Sequence, residues 1–329
     1  MKTSFTEVTL GALLLRQLAT SVEAGADIDT AADNLRGRLP EALRARLDAL
    51  LSALKAPSSE RRGRSRTAFE TIITFAKASS ADALKSMLRL ARHSERLVPL
   101  HYRVDREMGE RYFYLLAVGV VVLLVVVVGN QFIAPFVANV FGDGNTAFGI
   151  VRMPWLTRVV FYNAGGLVGY LLVLALVLPA LAWAKFSRDV RRSVQTLSPL
   201  PAYWSRWPTF RRSAARVNHL VLVLVADCLH AGGLSGQEAL DAAAAGPLPD
   251  EPPEMLGLML ARNGGDLERE LAWQTDVAGD LLWADIQVLV EQGTGIFIAI
   301  AGVVVGVIVI AIYLPIFKLG SLSFLGGMG

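Results

Sequence analysis

An all-α, polytopic membrane fold is predicted by three apolar runs at residues 112–133, 159–184 and 294–317, none of which contains Lys, Arg, Asp or Glu. A spanning helix needs about 20 predominantly apolar residues, and each run reaches that length with no charge to bury in hydrocarbon. The second observation is helical periodicity in the two polar stretches that alternate with these runs, 1–111 and 185–293, where no strand-like alternation bounded by hairpin turns occurs. Composition is the third: 53% of the residues are hydrophobic and mean hydropathy is +0.45, above the usual range of a soluble domain.

Charge orients the chain. Residues 1–112 carry 19 Lys and Arg and residues 185–292 carry 10, whereas the loop 134–158 carries only Arg152 and Arg158. By the positive-inside tendency both polar stretches face the cytoplasm, while the loop and the tail 318–329 lie outside. The expected order is a cytoplasmic helical domain (1–111), a first span (112–133), a periplasmic loop (134–158), a second span (159–184), a second cytoplasmic helical domain (185–293), a third span (294–317) and a periplasmic tail. Leu13 to Leu15 are cut short by Arg16, so the N-terminus does not read as a cleaved signal peptide. Each polar stretch holds 14 acidic residues, so neither carries the basic footprint of a nucleic-acid binder.

In the first polar stretch Pro40 marks a helix start, and Leu43, Leu47, Leu50, Leu51 and Leu54 fall on one face. A basic, Ser-rich segment at 57–66 reads as a solvated linker rather than a dock for an acidic partner or anionic lipid. Phe69, Ile72, Ile73 and Ala76 mark the next helix, and Leu84, Met87, Leu88 and Ala91 another, split at Ser79-Ser80. In the second stretch the β-branched run 221–225 reads as buried helix because its flanks are helical, and the single cysteine, Cys228, as an inert buried thiol. The stretches also look alike. An apolar helix ending at Ala24-Gly25 overlays one ending at Ala231-Gly232 with an offset of 207, each closed by a glycine expected in the left-handed conformation.

These features together resemble the type II secretion system protein F family, the inner-membrane platform proteins of type II secretion and type IV pilus machines. The residues that carry the resemblance are Gly302 and Gly306 running into Tyr313-Leu314-Pro315-Ile316-Phe317, the helix endings at Gly25 and Gly232, and the turn Gly264-Gly265-Asp266-Leu267. Ile133-Ala134-Pro135-Phe136 and Met153-Pro154-Trp155-Leu156-Thr157 resemble the two ends of the family's periplasmic loop. Glu291-Gln292 stands where the family commonly has Glu-Pro, and Ser79-Ser80-Ala81-Asp82 lacks the glycine of the equivalent turn, which marks a divergent member. The resemblance implies repeated cytoplasmic helical domains in the bacterial inner membrane. It also implies partnership with a cytoplasmic assembly ATPase, with pilin or pseudopilin transmembrane helices and with other platform components, as a homo-oligomer.

Catalytic signatures are not found. His93, His101, His219 and His230 lack metal-ligand spacing, and there is no serine elbow, phosphate loop or CxxC, so neither a cofactor nor a metal is expected. Gly142-Asp143-Gly144-Asn145 lacks the downstream acidic ligands of a calcium loop. The alternative is an oligomeric membrane transporter or permease subunit, but the runs offer no intramembrane ionisable residue to line a path. Gly165 with Gly169 and Gly302 with Gly306 form GxxxG patterns suited to close helix packing, within the chain or between copies.

Overall fold

Helix periodicity in the sequence becomes helix nearly throughout the computed structural model. It describes residues 13–55 apart from 15, 19 and 23, then 68–133, 135, 154–162, 167–244, 257, 258, 260, 261 and 266–326. About 90% of these are helical and none lies in a strand. The linker 57–66, the turn glycines Gly264 and Gly265, Gly165 and the Gly142 to Asn145 turn lie outside the described residues.

The helices are α1 (Ile28–Arg38), α2 (Glu41–Lys55), α3 (Ala68–Ala78), α4 (Ala83–Val128), α5 (Leu167–Thr196), α6 (Pro208–Ala231), α7 (Gly236–Ala244) and α8 (Leu267–Gly326). Two π-helical turns lie at Gly129–Ile133 and Arg158–Tyr162. Side-chain caps set several starts. Asp27 Oδ2 accepts from the Asp29 N–H, Asp82 Oδ1 from Leu84 and Lys85, and Asp266 Oδ1 from Arg269. The two longest helices, α4 and α8, therefore each begin on an aspartate. At α7, Ser235 and Glu238 form a capping box in which the Ser235 hydroxyl and N–H both donate to Glu238 Oε2. Those two bonds hold the Glu238 carboxyl below the usual glutamate range.

Helix ends repeat one device. A residue in the left-handed region lets the next N–H reach back five residues, and the observed bonds are Ala26 to Ser21, Ala81 to Ala76, Ser198 to Ser193 and Leu234 to Leu229. The left-handed residues are Gly25 (φ 89°), Ser80 (φ 60°), Leu197 (φ 47°) and Gly233 (φ 99°). Gly25 thus does what its sequence suggests. The expectation for Gly232 is corrected: its φ is −77°, and the left-handed position belongs to Gly233. Leu197 holds a conformation unfavourable for a branched side chain because that side chain is 2% exposed, and its burial offsets the backbone cost.

Contacts divide the chain into two compact units that do not follow chain order: Met1–Glu107 with Phe186–Leu289, and Met108–Lys185 with Val290–Gly329. The first gathers both polar stretches. Among its described residues one apolar cluster gathers around Leu18, Leu47, Ile73 and Met87 and another around Val223, Ala226, Leu240 and Leu271. The second unit gathers the three apolar runs around a shared cluster that includes Val122 and Val126, Val160 and Val173, and Val304 and Ile308.

Among the described residues three helices are long and apolar enough to cross a membrane, Ala83–Phe132, Pro208–Ala231 and Leu267–Lys318, whose apolar windows have mean hydropathies of 2.8, 1.3 and 3.1. The middle one is not the run expected from sequence. It is α6, whose 221–225 run is indeed buried helix, and 78% of its apolar window is enclosed by protein against 28% in the other two. α6 also buries Arg216 and Asp227, each in an ion pair, so we read it as the core helix of the polar unit. The expected second run falls on the turn Arg158–Tyr162 and the first part of α5. There Leu171, Leu174, Leu178 and Leu181 are about half exposed while Val173 and Ala180 pack in the shared cluster.

Candidate functional site

A line of hydrogen bonds and ion pairs, from side chains and backbone, ties the two polar stretches together. The Thr71 hydroxyl donates to the Thr196 carbonyl at 2.8 Å, and the Asp82 N–H donates to the Gly232 carbonyl at 2.8 Å. Deeper in, Asp227 on α6 receives Arg89 Nε at 2.7 Å and His93 Nε2 at 2.5 Å, both from α4. Arg96 pairs with Asp276 on α8. Asp227 is 4% exposed and Arg89 35%, so a nearly buried carboxylate is compensated by one half-solvated cation and one buried imidazole. The spacing Arg89, His93, Arg96 is i, i+4, i+7, which places all three on one face of α4.

This line explains Gly232. A Cβ built there would lie 3.0 Å from the Asp82 carbonyl oxygen and 3.1 Å from the Ala81 Cβ, so the α3–α4 turn approaches as closely as a bare backbone permits. The sequence singled out Gly232 for a left-handed conformation, whereas the structure shows a close backbone approach there. Nothing in the Leu- and Ala-rich pattern reveals which of two adjacent glycines a distant turn will touch.

Beside the line a cleft of about 520 Å³ opens between α4, α6 and α8. Leu97, Leu100, Leu224 and Trp283 give it an apolar lining, and Arg96, Arg103, Asp276 and Asp280 a charged one. His93 and Thr275 also reach it, but His93 is bonded to Asp227 and the Thr275 hydroxyl donates to the Leu271 carbonyl. Both groups are committed to internal bonds. Among the described residues no three His, Cys, Asp or Glu side chains are placed to hold a metal ion, and Cys228 is fully buried.

In the apolar unit two sequence motifs meet. Pro315 has no N–H to give the Ala311 carbonyl one turn earlier, and that carbonyl accepts instead from the Thr157 hydroxyl at 2.6 Å, with Thr157 1% exposed. The Pro154 to Thr157 segment is thereby fastened to the turn of α8 that Tyr313-Leu314-Pro315 interrupts. Tyr313 and Phe317 are exposed, their ring centroids 6.4 Å apart. Gly169 lies in the first turn of α5. Gly302 and Gly306 have nothing within 4 Å of the position a Cβ would take, so no described part of the chain packs on them. The tightest glycine contact of α8 is at Gly293, where a Cβ would lie 2.9 Å from the Trp183 ring.

No family model, no curated protein and no solved structure matches this chain.

Proposed function

We propose that the chain is a non-enzymatic inner-membrane platform of a type IV pilus or type II secretion machine, coupling a cytoplasmic assembly ATPase to the extraction and polymerisation of pilin-like subunits. The observation that supports this most is continuity. The three places where the chain passes between its polar and apolar units, at 107/108, 185/186 and 289/290, all fall inside helices: α4, α5 and α8. At each of the three crossings the backbone is helical. In this reading residues 112–133, 159–184 and 294–317 span, both polar stretches are cytoplasmic and the two stretches are related repeats. The open Gly302 and Gly306 face serves contacts between copies or with pilin helices.

Topology is tested by single cysteines in a Cys228→Ala background. Asn145→Cys should react with an impermeant thiol reagent from outside, and Ser59→Cys should not; labelling of Ser59→Cys in intact spheroplasts refutes the orientation. Function is tested by deleting the gene, which should abolish fibre assembly or secretion and leave solute uptake intact. Full-length protein in nanodiscs should bind the cognate ATPase. Gly302→Leu with Gly306→Leu should insert and fold like the parent, because no described neighbour is displaced, yet lose assembly. Loss of uptake of a small solute with secretion intact would favour the transporter.

A further inference from the structure

Basic residues in the second polar stretch are not spread evenly: residues 185–216 hold eight of the ten Lys and Arg of 185–292 and one acid, Asp189. Asp189 is already used. It accepts from the Tyr203 hydroxyl and, at 2.9 Å, from the Trp204 indole N–H. These bonds pin the 3₁₀ turn Trp204–Arg206 back along α5, to a level one helical turn past Lys185, about 6 Å along the axis. An aromatic box fixes the same level. Phe186, the residue after Lys185, packs on Trp204 at 5.0 Å and on Phe210 at 4.6 Å between ring centroids, and all three rings are buried.

What the box holds outward differs in character. Trp207 is 52% exposed, Tyr203 37%, and Arg206 is exposed between them, with Arg188 and Arg192 exposed on the neighbouring turns of α5. Partly exposed indole and phenol rings are unfavourable in bulk water and favourable at the headgroup level of a bilayer, where an apolar body and a polar tip are both accommodated. The level at which they are pinned is the first turn beyond the charge-free run 159–184. The geometry points to a lipid-binding site: residues 203–207, with Arg188 and Arg192, seat anionic phospholipid headgroups of the leaflet on the polar side, rings at the interface and guanidinium groups on phosphate. The site rests on the reading of 159–184 as a span. The charge of the patch selects the ligand, since cations with no uncommitted carboxylate among them favour an anionic lipid over a zwitterionic one.

The test uses the full chain, Cys228→Ala, with an environment-sensitive fluorophore on Ser205→Cys, reconstituted in phosphatidylcholine vesicles or in a phosphatidylcholine–phosphatidylglycerol mixture. The expected result is blue-shifted emission, quenched by a headgroup-proximal spin-labelled lipid and quenched more strongly when that lipid is anionic. Arg206→Gln and Arg188→Gln should each lower the anionic preference about fivefold. Aqueous emission with no shallow quenching overturns the proposal, and so does equal quenching by anionic and zwitterionic labelled lipid. A fluorophore at Leu178→Cys separates this from the span itself. Quenching there by a mid-chain spin label with none at residue 205 refutes the lipid site alone, whereas no quenching at residue 178 refutes the span and the site with it.

Discussion

Replacing Thr157 by Val removes one hydroxyl and almost no volume, which isolates the bond to the Ala311 carbonyl. That carbonyl lost its helical donor to Pro315, so in the variant it is left unsatisfied inside an apolar cluster. An orphaned buried acceptor costs about 1–3 kcal/mol, whereas side-chain hydrogen bonds between membrane helices average about 0.6 and reach about 1.7 kcal/mol. The geometry places this bond toward the upper end, because it is 2.6 Å long, Thr157 is 1% exposed and the helix supplies no alternative donor, giving an expected loss of about 1.5 kcal/mol. Pro315→Ala supplies the discriminating background. With an N–H restored at position 315 the Ala311 carbonyl regains its helical partner, and Thr157→Val should then cost close to nothing. The assay is reversible denaturation by sodium dodecyl sulfate in bicelles for the parent, the two single variants and the double variant. A coupling of about 1 kcal/mol or more is expected. If Thr157→Val costs the same in both backgrounds, the hydroxyl does not substitute for the missing proline N–H and the reasoning fails.

Other outcomes follow from the polar unit. Asp227→Asn should destabilise by about 2–3 kcal/mol in thermal unfolding of the full chain, less than a fully buried pair because Arg89 is 35% exposed; an effect below 0.5 kcal/mol by the same measure would mean the pair is a surface contact. Gly233→Val and Gly25→Val should each cost on the order of 1 kcal/mol or more through left-handed strain, with open space around both. Gly232→Ala should destabilise for a different reason, displacement of the α3–α4 turn, so its penalty should shrink when Ser86→Gly removes one of the groups it would meet. Glu238 has a depressed folded pKa, so the stability its cap contributes is present above the unfolded glutamate pKa and is lost as pH falls through the folded value. The melting temperature of Glu238→Gln should therefore lie below the parent's near neutrality and converge with it in acid; a constant difference at every pH would remove the capping role.

Helix, apolar run and helix end were legible in the residues themselves because each depends on neighbours in sequence. Leucines at one helical face, a charge-free run of spanning length and Gly25 after Ala24 need only local geometry to be interpreted. The left-handed ends at Ser80 and Leu197 were not legible in that way, since neither residue type favours such a conformation. At Leu197 the surrounding packing imposes it. Apolarity was also ambiguous between two environments. The run in α6 and the run in 159–184 are both apolar, and only the tertiary structure distinguishes a helix whose faces are enclosed by protein from one that leaves its leucines outward.

The sequence alone determined that this protein is helical, that its polar and apolar stretches alternate and where its cations lie, because composition and period act over a few turns. The tertiary structure decided which distant residues meet. Asp227 is 138 positions from Arg89, Thr157 is 154 from Ala311 and Asp189 is 15 from Trp204. Each of these bonds compensates a group that the local chain leaves unpaired: a buried carboxylate, a proline-orphaned carbonyl, a buried indole N–H. The need for a partner can be read locally, but its identity depends on the packing that brings one within 3 Å.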